Sequence, residues 1–178
     1  GYLAGYAAAA YSTTKVVGTY GGQPFDSVTS FMDGFYFGAM AWGEETGEMI
    51  EVLGWDPASP ETGAMIGGFA PNSPASKAIA ATLVNGGADV LFPVGGDQFG
   101  VCIEAFKEAS VDGVIIGVDK DVALTSPEYA PFVLTSAEKR MTNAVYDIIA
   151  ELSSGGAFDG EAYVGTLANG GTGLSPFY

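Results

Sequence analysis

Two apolar runs that do not alternate constrain this chain more than anything else in it. Val90–Val94 reads VLFPV and Gly113–Val118 reads GVIIGV. A strand with one wet face alternates apolar and polar residues. Strands that do not alternate must be covered on both faces, the condition of parallel strands lying beneath helices. Between the two runs stand a Gly95-Gly96 turn and a helical pattern over 98–109, and the second run stops on Asp119. In open α/β sheets, ligands gather where strands end at their carboxyl edge. Gly95, Gly96 and Asp119 occupy two such ends, so the stretch Gly87–Asp121 reads as half of a binding cleft.

The flanking sequence repeats this strand–helix unit. Alanine-rich Tyr2–Tyr11 predicts a helix, Val16–Tyr20 a strand, and Gly21-Gly22-Gln23-Pro24 a turn. A helix over 26–42 follows, with Val28, Met32, Phe35, Ala39 and Trp42 at the spacing of a buried stripe. Met49–Leu53 predicts the second strand. Pro57–Gly68, rich in Pro, Gly, Ser and Glu, reads as a surface insertion. Ser73-Pro74 is an N-cap followed by a first-turn proline, starting a helix that runs to about Val84. Beyond Asp119 the pattern predicts a short strand Phe132–Ser136, a long helix Ala137–Leu152, and a terminal hairpin (Ala162–Leu167 with Gly173–Phe177) turning at Asn169-Gly170. The fold class is α/β: a three-layer, doubly wound parallel sheet with helices on both faces.

Charge and composition narrow the chemistry. Of 178 residues, 6 are Lys or Arg and 21 are Asp or Glu, a net charge of −15. Affinity for nucleic acid comes from clustered Lys and Arg, so this balance argues against such a partner. There is no histidine and one cysteine, Cys102. His-based triads, Cys/His zinc sites and disulfides within the chain are thereby removed. Cys102 falls in a helical pattern beside Val101 and Ala105 and reads as a buried structural thiol. The Gly95-Gly96 turn lacks the Gly-Lys-Ser/Thr element of a phosphate loop, and neither a cofactor nor a metal is expected. The alanine run at 7–10 is too short for a signal peptide or membrane span. The chain opens on Gly1 without methionine, and we expect a targeting region upstream.

The motifs GYLAGYAAA, KVVGTYGG, FMDGF, GADVLFPVGGDQFG, GVDKD and LTSAEKR occur in this order across nearly the whole chain. Together they resemble the basic membrane protein (BMP/PnrA-like) family, substrate-binding lipoproteins of ABC transporters with the two-lobed type I periplasmic-binding-protein fold. The resemblance implies that residues 1–136 form the second, carboxyl-terminal lobe. It implies that 137–160 carry a helix that normally packs on the first lobe, and that 161–178 begin a truncated return segment. It further implies an extracytoplasmic, lipid-anchored protein serving an ABC permease and binding a purine nucleoside between two lobes without covalent chemistry.

On that reading the candidate ligand contacts are Asp119, Phe31, Phe69, Gly95, Gly96 and Lys139. Asp119 follows GVIIGV directly, where its carboxylate can accept from both ribose hydroxyls, against the alternative of a strand-end turn cap. Phe31 and Phe69 can stack on a flat base, although Phe31 borders the apolar stripe and equally suits the core. Trp55 is a third aromatic near a strand end, ranked below these. Gly95 and Gly96 allow close backbone approach. Lys139 and Arg140, placed in the first turn of the predicted helix, oppose its dipole. A rule-breaking cation of this kind points to a site, unless Glu138 compensates it on the surface. Asp121 reads as a turn or hinge residue. Two alternatives stay open: the same fold binding riboflavin, a sugar or another metabolite, or serving as an enzyme or ligand sensor. Without histidine, no paired acid–base constellation is evident for an enzyme.

Overall fold

The computed structural model describes residues 1–157 and 160–178. Helix α1 (Tyr2–Tyr11) leads into β1 (Val16–Gly21), followed by α2 (Asp26–Thr46), β2 (Glu51–Leu53), α3 (Pro74–Asn85) and β3 (Val90–Val94). Then come α4 (Phe99–Ala109), β4 (Val114–Asp119), the short α5 (Val122–Thr125), β5 (Val133–Lys139), α6 (Met141–Ser153) and β6 (Thr172–Leu174). Among the described residues the strands form one sheet in the order β2-β1-β3-β4-β5-β6. Strands β1 to β5 run parallel, while β6 pairs antiparallel with β5.

The unalternating runs are buried on both sides, as their composition requires. Val90, Leu91, Phe92, Ile115 and Ile116 are inaccessible to solvent. Gly18 of β1 faces Leu83 of α3, whereas Gly21 faces Val28 and Met32 of α2. The two helices therefore cover opposite faces of the sheet, the alternation a strand imposes. Ser73 caps α3 as its sequence predicts, its hydroxyl accepting from the Ser76 amide at 3.1 Å with Pro74 in the first turn. Cys102 is buried beside the Tyr20 hydroxyl at 3.1 Å, and burial pushes its thiol up to about 12.

Helix α1 lies on α2 at backbone contact. A methyl group on Gly5 would overlap the Phe35 carbonyl, and one on Gly38 would overlap the Tyr2 carbonyl. Backbone, unlike a side-chain end, cannot swing aside. Gly38→Ala is therefore expected to lower stability by about 2–3 kcal/mol through overpacking, read as a shift in the urea midpoint. A shift worth less than about 0.5 kcal/mol, the range of ordinary surface changes, would mean that α1 slides freely on α2.

At the amino edge of the sheet, the buried Asp89 ties the α1–β1 loop to β3. It accepts from Ser12 Oγ at 2.6 Å, Thr13 N at 2.7 Å, Thr13 Oγ1 at 2.9 Å and Thr14 N at 3.1 Å. Burial by itself pushes this carboxyl upward and is the largest single influence. The hydrogen bonds together outweigh burial and hold it below its usual 3.8.

Three expectations are corrected. The helix predicted over Ala137–Leu152 starts at Met141, because Ala137, Glu138 and Lys139 continue β5 between β4 and β6. The terminal hairpin does not form. Its second arm becomes β6 and pairs with β5, while Asn169 closes the turn through its own side chain, accepting from Thr166 N at 2.7 Å and Gly171 N at 2.9 Å. The insertion is narrower than Pro57–Gly68: Met65 bridges Gly21 at the end of β1, and Ile66 N donates to Gly21 O at 2.9 Å. The 137–160 segment also includes Phe158 and Asp159, which lie outside the described residues.

Strands β5 and β6 are joined closely. Ala137, Glu138 and Lys139 face Leu174, Gly173 and Thr172. Ser136 N donates to Ser175 Oγ at 2.8 Å, and Thr135 Oγ1 to Ser175 O at 2.9 Å. The Arg140 guanidinium crosses Gly173 to reach Leu174 O at 3.3 Å.

Candidate functional site

The carboxyl edge holds two groups of side chains. The first gathers at the ends of β4 and β5. Asp119 closes β4 with φ +70°, a left-handed conformation that non-glycine residues adopt rarely and that Asp tolerates better than most. Its Oδ1 lies 2.8 Å from Lys139 Nζ, the last residue of β5. That ammonium also sits over the Phe31 ring at 5.0 Å from the centroid, and Phe31 leans on Phe92 of β3 at 6.4 Å. Both charged groups are more than two-fifths exposed. At such exposure an ion pair adds about 0–1 kcal/mol to stability, so folding gains little from placing them together. A cleft of about 430 Å³ opens beside this group, lined by Phe31 and Lys139 together with Ser27, Ser30, Met141 and Tyr163; Asp119 is not part of its lining. That is within the size range of small-molecule sites.

The dipole argument for Lys139 does not survive, since Lys139 belongs to a strand and Arg140 is the residue preceding α6. Its strand position is what aims the ammonium at Asp119. Arg140 instead grips Glu138 through Nε at 3.1 Å and Nη2 at 3.0 Å.

The second group surrounds the ends of β1 and β3. Phe69 packs against Gly22, where a Cβ would collide with its ring. Gly96, at φ +76°, turns the chain beneath the Phe69 carbonyl. Gly95 is buried against Gly22 and Ile66, so it serves packing of the loop. Gln98, also buried, holds these pieces in place by donating to Ala70 O at 2.9 Å and Gly95 O at 3.0 Å. The structure thus brings Asp119, Lys139 and Phe31 together, and separately Phe69, Gly95 and Gly96. Helix α2 carries Phe31 of the first group.

Trp55 leaves the candidate set. It is 4% exposed and donates Nε1 to Asp33 Oδ1 at 2.9 Å, a satisfied core tryptophan. Asp121 is a turn residue as expected: it precedes α5, accepts from Leu124 N at 3.4 Å and receives the Tyr178 hydroxyl at 2.8 Å. Phe25 was not singled out by the sequence. It stacks beside Phe69, with centroids 6.2 Å apart and planes 20° apart. The signal was an apolar residue just ahead of a helix start, where Ser, Thr, Asp or Asn is preferred.

Comparison with solved structures defines the fold. A solute-binding protein of an ABC transporter system from Aeropyrum pernix K1 superposes with a TM-score of 0.72 at 24% identity, over 98% of this chain and 45% of its own. A transcriptional activator of the comK gene from Bacillus halodurans gives 0.73 at 21%, over 99% and 54%. At such identities the likeness establishes the fold, that of type I periplasmic-binding-like proteins. The family follows from sequence: the model described as ABC transporter substrate-binding protein PnrA-like (Bmp) matches residues 1–55 and 64–175, and the chain belongs to that family. The unmatched 56–63 coincide with the part of the insertion that does not join the sheet. Basic membrane protein D of Borreliella burgdorferi (strain JD1) is 28% identical over 159 residues, 89% of this chain and 42% of its own. The ABC transporter nucleoside-binding protein BmpA of Lactococcus lactis subsp. cremoris (strain MG1363) is 31% identical over 189 residues, 97% and 49%. The chain spans about half the length of these relatives. Among the described residues, no helix is long and apolar enough to cross a membrane.

Proposed function

We propose that this chain is the second lobe of an extracytoplasmic solute-binding protein that captures a purine nucleoside and presents it to an ABC importer. The observation that carries this reading is the convergence of Asp119, Lys139 and Phe31 at the carboxyl edge, with Asp119 in a left-handed backbone conformation that folding alone does not reward. Asp119 accepts from the two ribose hydroxyls, Lys139 donates to a sugar oxygen, and Phe31 and Phe69 offer faces to the ribose and the base. All of these are binding contacts, and the function needs no covalent step. The name of the Lactococcus relative supports the ligand class.

In this reading a first lobe closes over the edge. Helix α6 packs on that lobe: Met141, Val145, Ile149 and Leu152 form an apolar stripe, each at least 46% exposed. An anchor upstream holds the protein at the membrane surface. Calorimetry of the full-length protein with adenosine, guanosine and inosine tests the ligand. Saturable binding is expected, and its absence at millimolar ligand rejects the nucleoside. Mass spectrometry of a co-purified ligand would then reveal a flavin or sugar instead.

A further inference from the structure

Resting on the nucleoside reading, we infer that Ser136 is a positioning residue for Asp119. Its hydroxyl pins the Val122 amide that closes the Asp119 turn, and so holds the carboxylate where a ribose diol can meet it. Two residues here suit folding poorly when taken singly. Gly117 interrupts the apolar run of β4 in mid-strand, where glycine adds no packing and costs chain entropy. Opposite it in the register stands Ser136 of β5, inaccessible to solvent, and a buried hydroxyl is costly unless it is bonded. The two account for each other. A Cβ on Gly117 would collide with Ser136 Oγ and with a methyl group of Val122, so the glycine makes the room in which serine and valine meet. There Ser136 Oγ accepts from Val122 N at 3.1 Å.

Val122 opens α5, and its amide is one of the first-turn donors that no helical carbonyl can satisfy. Asp121 caps the amide of Leu124 instead, so the Val122 amide depends on Ser136. Asp119 is the last residue of β4, and only Lys120 and Asp121 separate it from Val122. A left-handed backbone at a residue other than glycine persists only where its surroundings over-determine it. Three ties do so here. Asp119 pairs with Glu138 on the strand side, Lys120 N returns to Val118 O at 2.9 Å, and Ser136 holds the far side through Val122. Ser136 stands on β5, as does Lys139, so one strand carries both the cation that faces Asp119 and the hydroxyl that sets its turn. Ser136 is itself anchored from behind. Its N donates to Ser175 Oγ at 2.8 Å, and Ser175 N donates to Ser136 O at 2.9 Å. Those bonds join β5 to the chain after β6 without touching the turn, which makes Ser175 a control for stability alone.

The test is a double-mutant cycle in the full-length protein, read by calorimetry with inosine beside a thermal melt. Ser136→Ala is expected to weaken inosine about tenfold, the lower end of one lost charge-assisted hydrogen bond. In an Asp119→Asn background the same change should cost less than about twofold, because the group it positions is already altered. Ser175→Ala should lower the thermal midpoint while keeping inosine affinity within about twofold of the parent. Ser136→Cys, whose sulfur is a weaker acceptor, should fall between serine and alanine; if Ser136→Ala does not fold, this variant carries the cycle by the same criteria. Inosine affinity in Ser136→Ala within about twofold of the parent would overturn the assignment while leaving the nucleoside reading intact. So would an undiminished loss in the Asp119→Asn background, or an equal loss in Ser175→Ala. A parent protein that binds no nucleoside would overturn both.

Discussion

Replacing Asp119 by alanine in the full-length protein is expected to weaken nucleoside binding by at least about 100-fold. Each charge-assisted hydrogen bond contributes about 1.5–3 kcal/mol. Two to the ribose diol give about 3–6 kcal/mol, where each 1.4 kcal/mol is a factor of ten. Asp119 sits at φ +70°, so alanine also strains the backbone there, whereas asparagine tolerates this conformation. Asp119→Asn is thus the cleaner probe, with an intermediate loss since one carbonyl acceptor remains. Neither change should unfold the protein: the carboxylate is 47% exposed, and its pairing with Lys139 adds little stability. Calorimetry beside a thermal melt separates the two effects. If both variants bind within about threefold of the parent, Asp119 does not meet the ligand.

The other large effect lies at the opposite edge and concerns stability alone. Asp89→Ala strips the acceptor from Ser12, Thr13 and Thr14 together. Ser12 is 2% exposed, so water cannot fully replace the lost partner. An expected cost of about 2–4 kcal/mol follows from leaving such donors unmet, a large share of the usual 5–15 kcal/mol of a domain. The pH dependence has a definite sign. Asp89 has its pKa lowered in the folded state, so its contribution is present above the unfolded value and is lost as pH falls through the folded one. Urea midpoints of the parent should therefore drop on acidification from about pH 4 downward, and those of Asp89→Asn should drop less. Parallel acid profiles for the two proteins would remove Asp89 from this role.

How much of this was legible in the sequence depended on whether the deciding force was local. The buried strands β3 and β4 announced themselves as apolar runs, and α3 by Ser73-Pro74. Both the helix cap and two-sided burial act within a few residues of their signal. The β5–α6 boundary was not legible, because Ala137, Glu138 and Lys139 are good helix formers. Their strand state is imposed by β4 on one side and by β6, some 35 positions later, on the other. For the same reason Lys139 was singled out as a misplaced helix cation, when its actual warrant is the strand register that sets it beside Asp119. Asn169-Gly170 was a sound turn signal attached to the wrong partner strand. Trp55 was ambiguous as sequence, since nothing nearby in the chain foretold Asp33 as the acceptor of its indole. Phe25 was legible only as an absence of capping chemistry, and its contact with Phe69 is set by a loop more than 40 positions away.

The stitching of β5 to β6 has a mechanical consequence. Bonded to β4 on one side and to β6 on the other, with further ties at Ser175 and Arg140, β5 has no open edge along Ala137–Lys139. The side chain of Lys139 therefore springs from backbone held on both flanks, which fixes where its ammonium starts relative to Asp119.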